Sequence, residues 1–520
     1  MSSLVQAYIS GDPRLAEFLG GPPQRLFDAP PSQSAPCDAD LVTALRRHQT
    51  RLGLTRTLSG DEIVVVTGQQ PGLFGGPLYT VYKALTAVAL ARELSERYGC
   101  KAIPLFWNAS EDHDFEEVRT TNILSRQGVP VALTYTPEAD VAGAPMHRVP
   151  VEPSLHALID QAAALAFGSN DADAIRGFLH ASLDASDSLA DWFSRIMARL
   201  FRDTPLVLFA PHWPEARRAA APTLRRVLDD PLAATRIVNE AGERLTERGF
   251  GAQVVKSDDE CPFFLDVGGR RRKVLWRDDG FRLPEEKLRL SRDEMAAILT
   301  SEPERFSPNV TLRPVVEQAL FPSTAAYVAG PGEIAYWAQL RGVFDWFETP
   351  MPVVYPRASA VLTTPKLRRR MQEFGLSLSD LSTAESTLIE RLLPTLPPDA
   401  PRRALADHRA PVARALAELR AALAAVDQEA WPADRIRRME RRIEHDFDRL
   451  DRALARRDER AADQLRARIR RLTGTLAPWR KPQERVYTVF SFLFGQGWGL
   501  IDRIAHGLDV HQFHMHEIDL

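Results

Sequence analysis

Between Glu62 and Ser110 the chain runs strand, helix, strand within about fifty residues, and that order restricts the fold more than any other feature. EIVVVTG is a β-branched run ended by Gly68, PLYTVYKALTAVALARELSERYG has helical periodicity and stops at Gly99, and KAIPLFWNAS is a second apolar run. Such a unit needs a parallel, right-handed crossover. Three more runs of this kind follow, in TPLVLFAPH (204–212), at the start of AAYVAGPGEIAYWAQLRGVFDWF (325–347) and in MPVVYPRAS (351–359). The expectation is an α/β fold on a parallel sheet built from these five runs. Each run breaks into glycine, proline, amide or charged residues. In open parallel sheets the carboxyl ends of the strands, with helix N-termini beside them, form the ligand crevice, so a site is expected at those breaks.

Length and composition bound the rest. At 520 residues the chain exceeds one simple core and implies roughly two to four structural units. A formal net charge of −3 gives no reason to expect nucleic acid or an anionic membrane as partner. MSSLVQAYISGDPRL lacks a basic region followed by an apolar core, and no apolar run approaches about 18 residues, so neither a secretory signal nor a membrane span is expected. Cys37, Cys100 and Cys261 are scattered, without CxxC spacing, and read as small buried hydrophobes in a reducing compartment. A cytoplasmic protein is expected.

Two insertions interrupt the alternation. Residues 131–190 are mixed and partly helical, and 240–310 include QVVKSDDECPFFLDVGGRRRKVLW, which reads as strands around a GG turn. Beside that turn, Arg270, Arg271, Arg272 and Lys273 read as a solvated hairpin end. Residues 370–480 change character. Val412, Leu416, Leu419, Leu423 and Val426 alternate spacings of four and three, as do Ile436, Met439, Ile443, Phe447, Leu450 and Leu454, then Leu465, Ile469 and Leu472. With Trp431-Pro432 as the break, this is an antiparallel coiled-coil arm, whose interleaved acids argue against RNA binding and whose seam suggests a homodimer contact. The remaining divisions are 1–130 and 191–239 for the first part of the core, 311–369 for its second half, and 481–520 for a segment returning to it.

The strand-end residues carry the candidate chemistry. TGQQPGLFGG is neither a Walker loop nor a good GxGxxG; its Gly75 and Gly76 permit positive φ, Gln69 and Gln70 can donate and accept, and Tyr79 and Lys83 share a helix face beyond it. After Asn108, SEDHDFEE crowds Glu111, Asp112, His113, Asp114, Glu116 and Glu117 together. Three readings stay open: His113 with Asp112 or Asp114 as a general acid/base pair, a divalent-cation site, or an acidic helix start. Gly330, Gly332 and Glu333 form a turn able to hold a carboxylate or phosphate, and Asn309, Arg313, Tyr355 and Arg357 stand nearby as anchors. His511, His514 and His516 have spacings that do not place all three on one face, so a metal cluster is not expected.

VTGQQPGLFGGPLYTVYKA, FWNASEDHDFEEV, FSPNVTLRPVVEQALFPSTAAYVAGPGEIAYWAQL and MPVVYPRAS, in this order, resemble the hallmarks of the BshC family of cysteine-adding enzymes in bacillithiol biosynthesis. The resemblance spans nearly the whole chain, most loosely at 131–190, 240–310 and the tail. It implies a Rossmann-like core related to nucleotidyltransferases and class I aminoacyl-tRNA synthetases, two connecting-peptide insertions and a dimerising coiled coil. The implied reaction joins the carboxyl of L-cysteine to the amine of glucosaminyl-malate. No HIGH or KMSKS signature is present, which leaves ATP or another nucleotide open as the activator. In that reaction His113 would take the amine proton, Gln69 and Gln70 would hold sugar or oxyanion, and Lys83, Arg313 or Arg357 would face carboxylates or a phosphate. The rivals are a metal-dependent phosphoesterase built on the acidic cluster and a non-catalytic scaffold carrying the coiled coil.

Overall fold

A computed structural model describes residues 3–56, 58–393, 400–426 and 433–520. The five apolar runs become Ile63–Gln69, Ala102–Asn108, Val207–Phe209, Thr324–Ala329 and Val353–Pro356, all parallel, in the spatial order fifth, fourth, first, second, third. These strands are continuous apolar sequence because both faces of the sheet are covered. Val65 packs with Leu90 and Leu94 of the Tyr79–Tyr98 helix on one face, while Val64 and Val66 join Leu105 and Trp107 on the other. Gln69 lies opposite Asn108, Thr67 opposite Val328, and Ala329 opposite Pro356, so the strands end at a common level.

The chain leaves the first strand through a turn that only glycine can make. Gly76 sits at φ 74°, ψ −167°, a region closed to side chains. Gly76→Ala is expected to lose about 2 kcal/mol in urea denaturation, within the cost of such a backbone conformation.

By contact, the chain divides into two compact units: Met1–Arg126, Pro130–Thr364 and Pro482–Leu520 form one, Gln127–Val129 and Pro365–Lys481 the other. The first holds the parallel sheet and an antiparallel sheet in the order Phe306–Pro308, Glu260–Val267, Arg270–Arg277, Gly280–Leu283, Leu288–Leu290. Its first hairpin turns on Gly268 and Gly269, both at positive φ. Near the C-terminus, Met515–Asp519 pairs with Ser359–Thr363.

The second unit contains the helices Ala400–Val426 and Ala433–Leu476. They run antiparallel, since Arg402 pairs with Asp451, Arg409 with Asp448 and Arg420 with Glu440. The expected break at Trp431-Pro432 lies outside the described residues. Leu465, Ile469 and Leu472 are buried, whereas Leu419, Met439 and Leu450 on the same stripe are exposed. No described helix is long and apolar enough to cross a membrane.

Candidate functional site

The strand ends open into a cavity of about 390 Å³. Its walls come from Gln69 and Gln70 after the first strand, Lys83, Arg313 and Glu317 on two helices, Glu333 after the fourth strand, and Arg357 and Arg485. A second hollow of about 470 Å³ shares Gln70, Asp112, Glu117 and Arg313 with it and adds His113, Lys256, Phe264 and Arg271.

Charge pairs build the cavity floor. Lys83 Nζ lies 2.6 Å from Glu333 Oε2 and donates to Gly68 O at 2.5 Å and Gln69 Oε1 at 3.3 Å. Tyr79, one turn earlier, receives Gln69 Nε2 at 3.3 Å. Burial pulls the Lys83 ammonium below its ordinary value, with Glu333 opposing. Glu333 also accepts Tyr327 OH at 2.8 Å and the Gly330 N–H at 2.7 Å; burial works against its charge, but these donors and Lys83 hold it below the usual carboxylate value. Gly332 lines the same wall. Arg357 forks onto the buried Glu484 at 3.0 and 2.6 Å. Arg313 meets Tyr336 OH at 3.0 Å and Glu317 at 3.3 Å.

The two loops singled out in the sequence meet through one side chain. Gln70 Nε2 donates to Asp112 Oδ2 at 2.7 Å and to Glu117 Oε2 at 3.1 Å. Glu111 turns inward and pairs with Arg217 at 2.8 Å, both buried. Ser110 Oγ lies 2.7 Å from His212 Nδ1, which fixes the loop from beneath.

Several expected roles need correction. Asp112 Oδ1 accepts the backbone N–H of His113 at 2.7 Å, while the imidazole Nδ1 is 3.8 Å away, too far for the carboxylate to orient it. Arg271 does so instead: its Nη1 donates to His113 Nδ1 at 3.3 Å, which places the ring proton on Nε2. Burial first, then Arg271, pulls His113 below its ordinary value, so the ring is a neutral N–H donor. Asp114 caps the short Phe115–Val118 helix by accepting the Glu117 N–H. Asn108 donates to Ala190 O and Ser194 Oγ behind the sheet, outside both hollows. Asn309 Oδ1 accepts from Thr311 and Leu312 and holds the turn that starts the Arg313–Leu320 helix, at the edge of the second hollow. Tyr355 points away and donates to Val510 O, because its side chain falls on the far face of the strand. Gly75 and Gly76 shape the turn without reaching the cavity.

The reading of Arg270–Lys273 as a solvated hairpin end also fails, most clearly at Arg271 and in part at Arg272, whose side chain is 17% exposed. Alternation sends Arg270 to Asp140 and Arg272 to Glu286, but Arg271 inward. Arg271 stacks 4.0 Å over Phe264, donates to Ser307 Oγ and Pro308 O, and has a side chain only 9% exposed. Sequence reasoning also missed Glu317, Glu484 and Arg485. Strand parity would have separated Arg271 from its neighbours; Glu317 had only its i,i+4 spacing from Arg313, an ordinary surface signal.

Among the described residues, no group of three or more His, Cys, Asp or Glu side chains is arranged to hold a metal ion. His511 meets Glu93 at 2.8 Å, and His516 lies 3.0 Å from Ser359 O. Burial pushes the Cys37 thiol up to about 11 and raises that of Cys261, which makes both poor nucleophiles.

A Rossmann-like sheet with a polar, charge-paired crevice at its strand ends defines the class: an α/β protein whose crevice is a candidate small-molecule site. Residues 1–358 match the family model "Bacillithiol biosynthesis BshC, N-terminal Rossmann-like domain", and residues 360–520 match "Bacillithiol biosynthesis BshC, C-terminal coiled-coil domain". Proteins named "Putative cysteine ligase BshC" are similar over most of their length. The one from Salinibacter ruber is 34% identical, with 89% of this chain and 83% of that protein covered. Those from Koribacter versatilis and Solibacter usitatus are each 33% identical, covering 89% and 91% of this chain and 87% of each relative. The chain belongs to the BshC family.

Proposed function

We propose that the protein is a cytoplasmic cysteine ligase that joins the carboxyl of L-cysteine to the amine of glucosaminyl-malate. The observation that carries this reading is the pair of hollows meeting at Gln70, Asp112 and Arg313, room for two polar reactants with their reacting ends at a shared wall. Amide formation needs a neutral amine and donors for a developing oxyanion. The neutral His113 supplies an N–H donor beside that wall, and Gln69 and Gln70 offer carboxamides. Arg313, Arg357, Arg485 and Lys83 face the carboxylates of the substrates. Arg485 has no ion-pair partner among the described residues and is free to meet an added anion. Calorimetry tests the two-substrate arrangement. Glucosaminyl-malate is expected to bind at a 1:1 ratio with L-cysteine already present; mutual exclusion would refute it.

The exposed Leu419, Met439 and Leu450 support a homodimer through the coiled coil. Light scattering at micromolar concentration is expected to give twice the 58.1 kDa chain mass, and a monomer would contradict this.

A further inference from the structure

The amine of an acceptor substrate is largely an ammonium near neutral pH, since such amines titrate at about 8. The site therefore needs a base whose lone pair is uncommitted and whose basicity matches. His113 lacks both: Arg271 occupies its Nδ1, and its other nitrogen carries the proton. Asp112 is held by Gln70 and by the N–H groups of His113 and Asp114. Glu333 takes three donors, and Glu484 takes the Arg357 fork, Ser359 Oγ and the Ala360 N–H. Glu111 is locked to Arg217. Glu117 is exposed to solvent and already accepts the Gln70 carboxamide at 3.1 Å.

Glu317 differs from all of these. It lines the cavity, is 4% exposed, and among the described residues its one close cationic partner is Arg313, whose Nε lies 3.3 Å away. Resting on the ligase reading, we propose that the Glu317 carboxylate is the catalytic base that takes the proton from the acceptor amine. The N–H bond breaks with its electron pair left on nitrogen, and the proton passes to a Glu317 oxygen. An ammonium and a carboxylate become a neutral amine and a neutral acid, with no further reactant needed.

The surroundings tune the group for this task. Arg313 on its own helix and Lys83 on the Tyr79–Tyr98 helix favour its charge. Glu333 and Tyr336 on the Pro331–Trp337 helix, Glu111 after the second strand and Tyr327 on the fourth face it from the other elements. Burial is the largest influence, Arg313 opposes it, and Glu333 and Glu111 add to it; together they push the carboxyl from 4.5 up to about 8. A base matched to its amine transfers the proton near thermoneutrally at working pH. A raised value in the fold also links the group to stability. The stabilisation its proton brings is complete below 4.5 and is lost as pH rises through about 8.

The test uses the full chain under conditions where wild type forms product. Glu317→Gln, the shape of the protonated acid, is expected to lower kcat at least about 100-fold with KM within about threefold. Wild-type kcat should climb to a plateau above about pH 8, and formate should restore turnover to Glu317→Ala. Glu317→Asp, which keeps the acid but retracts it, should be slowed with the same pH profile. Independently of activity, the urea midpoint of wild type should fall from pH 7 to 9 by more than that of Glu317→Gln. Turnover of Glu317→Gln or Glu317→Asp at the wild-type rate with an unaltered pH profile would overturn the assignment, as would equal pH dependence of the midpoints. Absence of product from wild type would instead sink the ligase reading, leaving the urea comparison to judge Glu317.

Discussion

Arg357→Ala is expected to lose about 3–5 kcal/mol of stability, the cost of leaving one member of a buried ion pair without its partner. Both side chains of the Arg357–Glu484 pair are 3% exposed, and the fork closes at 3.0 and 2.6 Å. Glu484 also accepts from Ser359 Oγ and the Ala360 N–H, so without Arg357 a charged carboxylate would remain among apolar neighbours and two weaker donors. The pair does more than balance charge. It ties the segment beginning at Pro482 to the end of the Val353–Pro356 strand, where Arg357 enters the cavity wall. Replacing both residues by methionine should recover most of the loss, because neither charge is then stranded. Urea denaturation of the single and double variants decides this; a single variant within about 1 kcal/mol of wild type would mean that water reaches Glu484.

Arg271→Ala is expected to cut turnover about 100-fold while leaving the chain folded, comparable to removal of one oxyanion donor. Arg271 holds His113 in the tautomer whose Nε2–H can donate, and it stacks on Phe264 while bonding Ser307 and Pro308. Removing the guanidinium frees Nδ1 and takes away the second of two influences that depress His113; burial remains. The imidazole should then titrate higher than in wild type, a shift that NMR of the histidine ring protons can follow. Arg271→Lys should not restore the site, since an ammonium cannot stack and reach three acceptors in one plane. An unshifted His113 titration in Arg271→Ala would break the link between the two residues.

Much of the architecture could be read before any coordinates. Strands buried on both faces must be continuous apolar runs, and the polar break after each marks its carboxyl end, so no alternating pattern was needed to find EIVVVTG or KAIPLFWN. The heptad stripe likewise declared the helices Ala400–Val426 and Ala433–Leu476.

The candidate site was legible in its loops but not in its side-chain directions. Gln70 and Asp112 come from turns that glycine and acid content flagged, and they meet at 2.7 Å. Tyr355 and Arg357 looked equivalent as strand-end residues, yet one packs behind the sheet with Phe513 and the other lines the cavity, because the strand stops between them at Pro356. Glu317 lies in the eight-residue helix RPVVEQAL, where its spacing from Arg313 reads as a solvated pair. Only the neighbours from other elements make it a buried carboxyl.

The central claim is that this crevice joins cysteine to glucosaminyl-malate. Mass-spectrometric thiol profiling of a strain lacking the gene tests it most directly. Loss of the cysteinyl thiol with accumulation of glucosaminyl-malate, reversed by the wild-type chain but not by Arg271→Ala, is the expected result. An unchanged thiol pool with no accumulated precursor would contradict it.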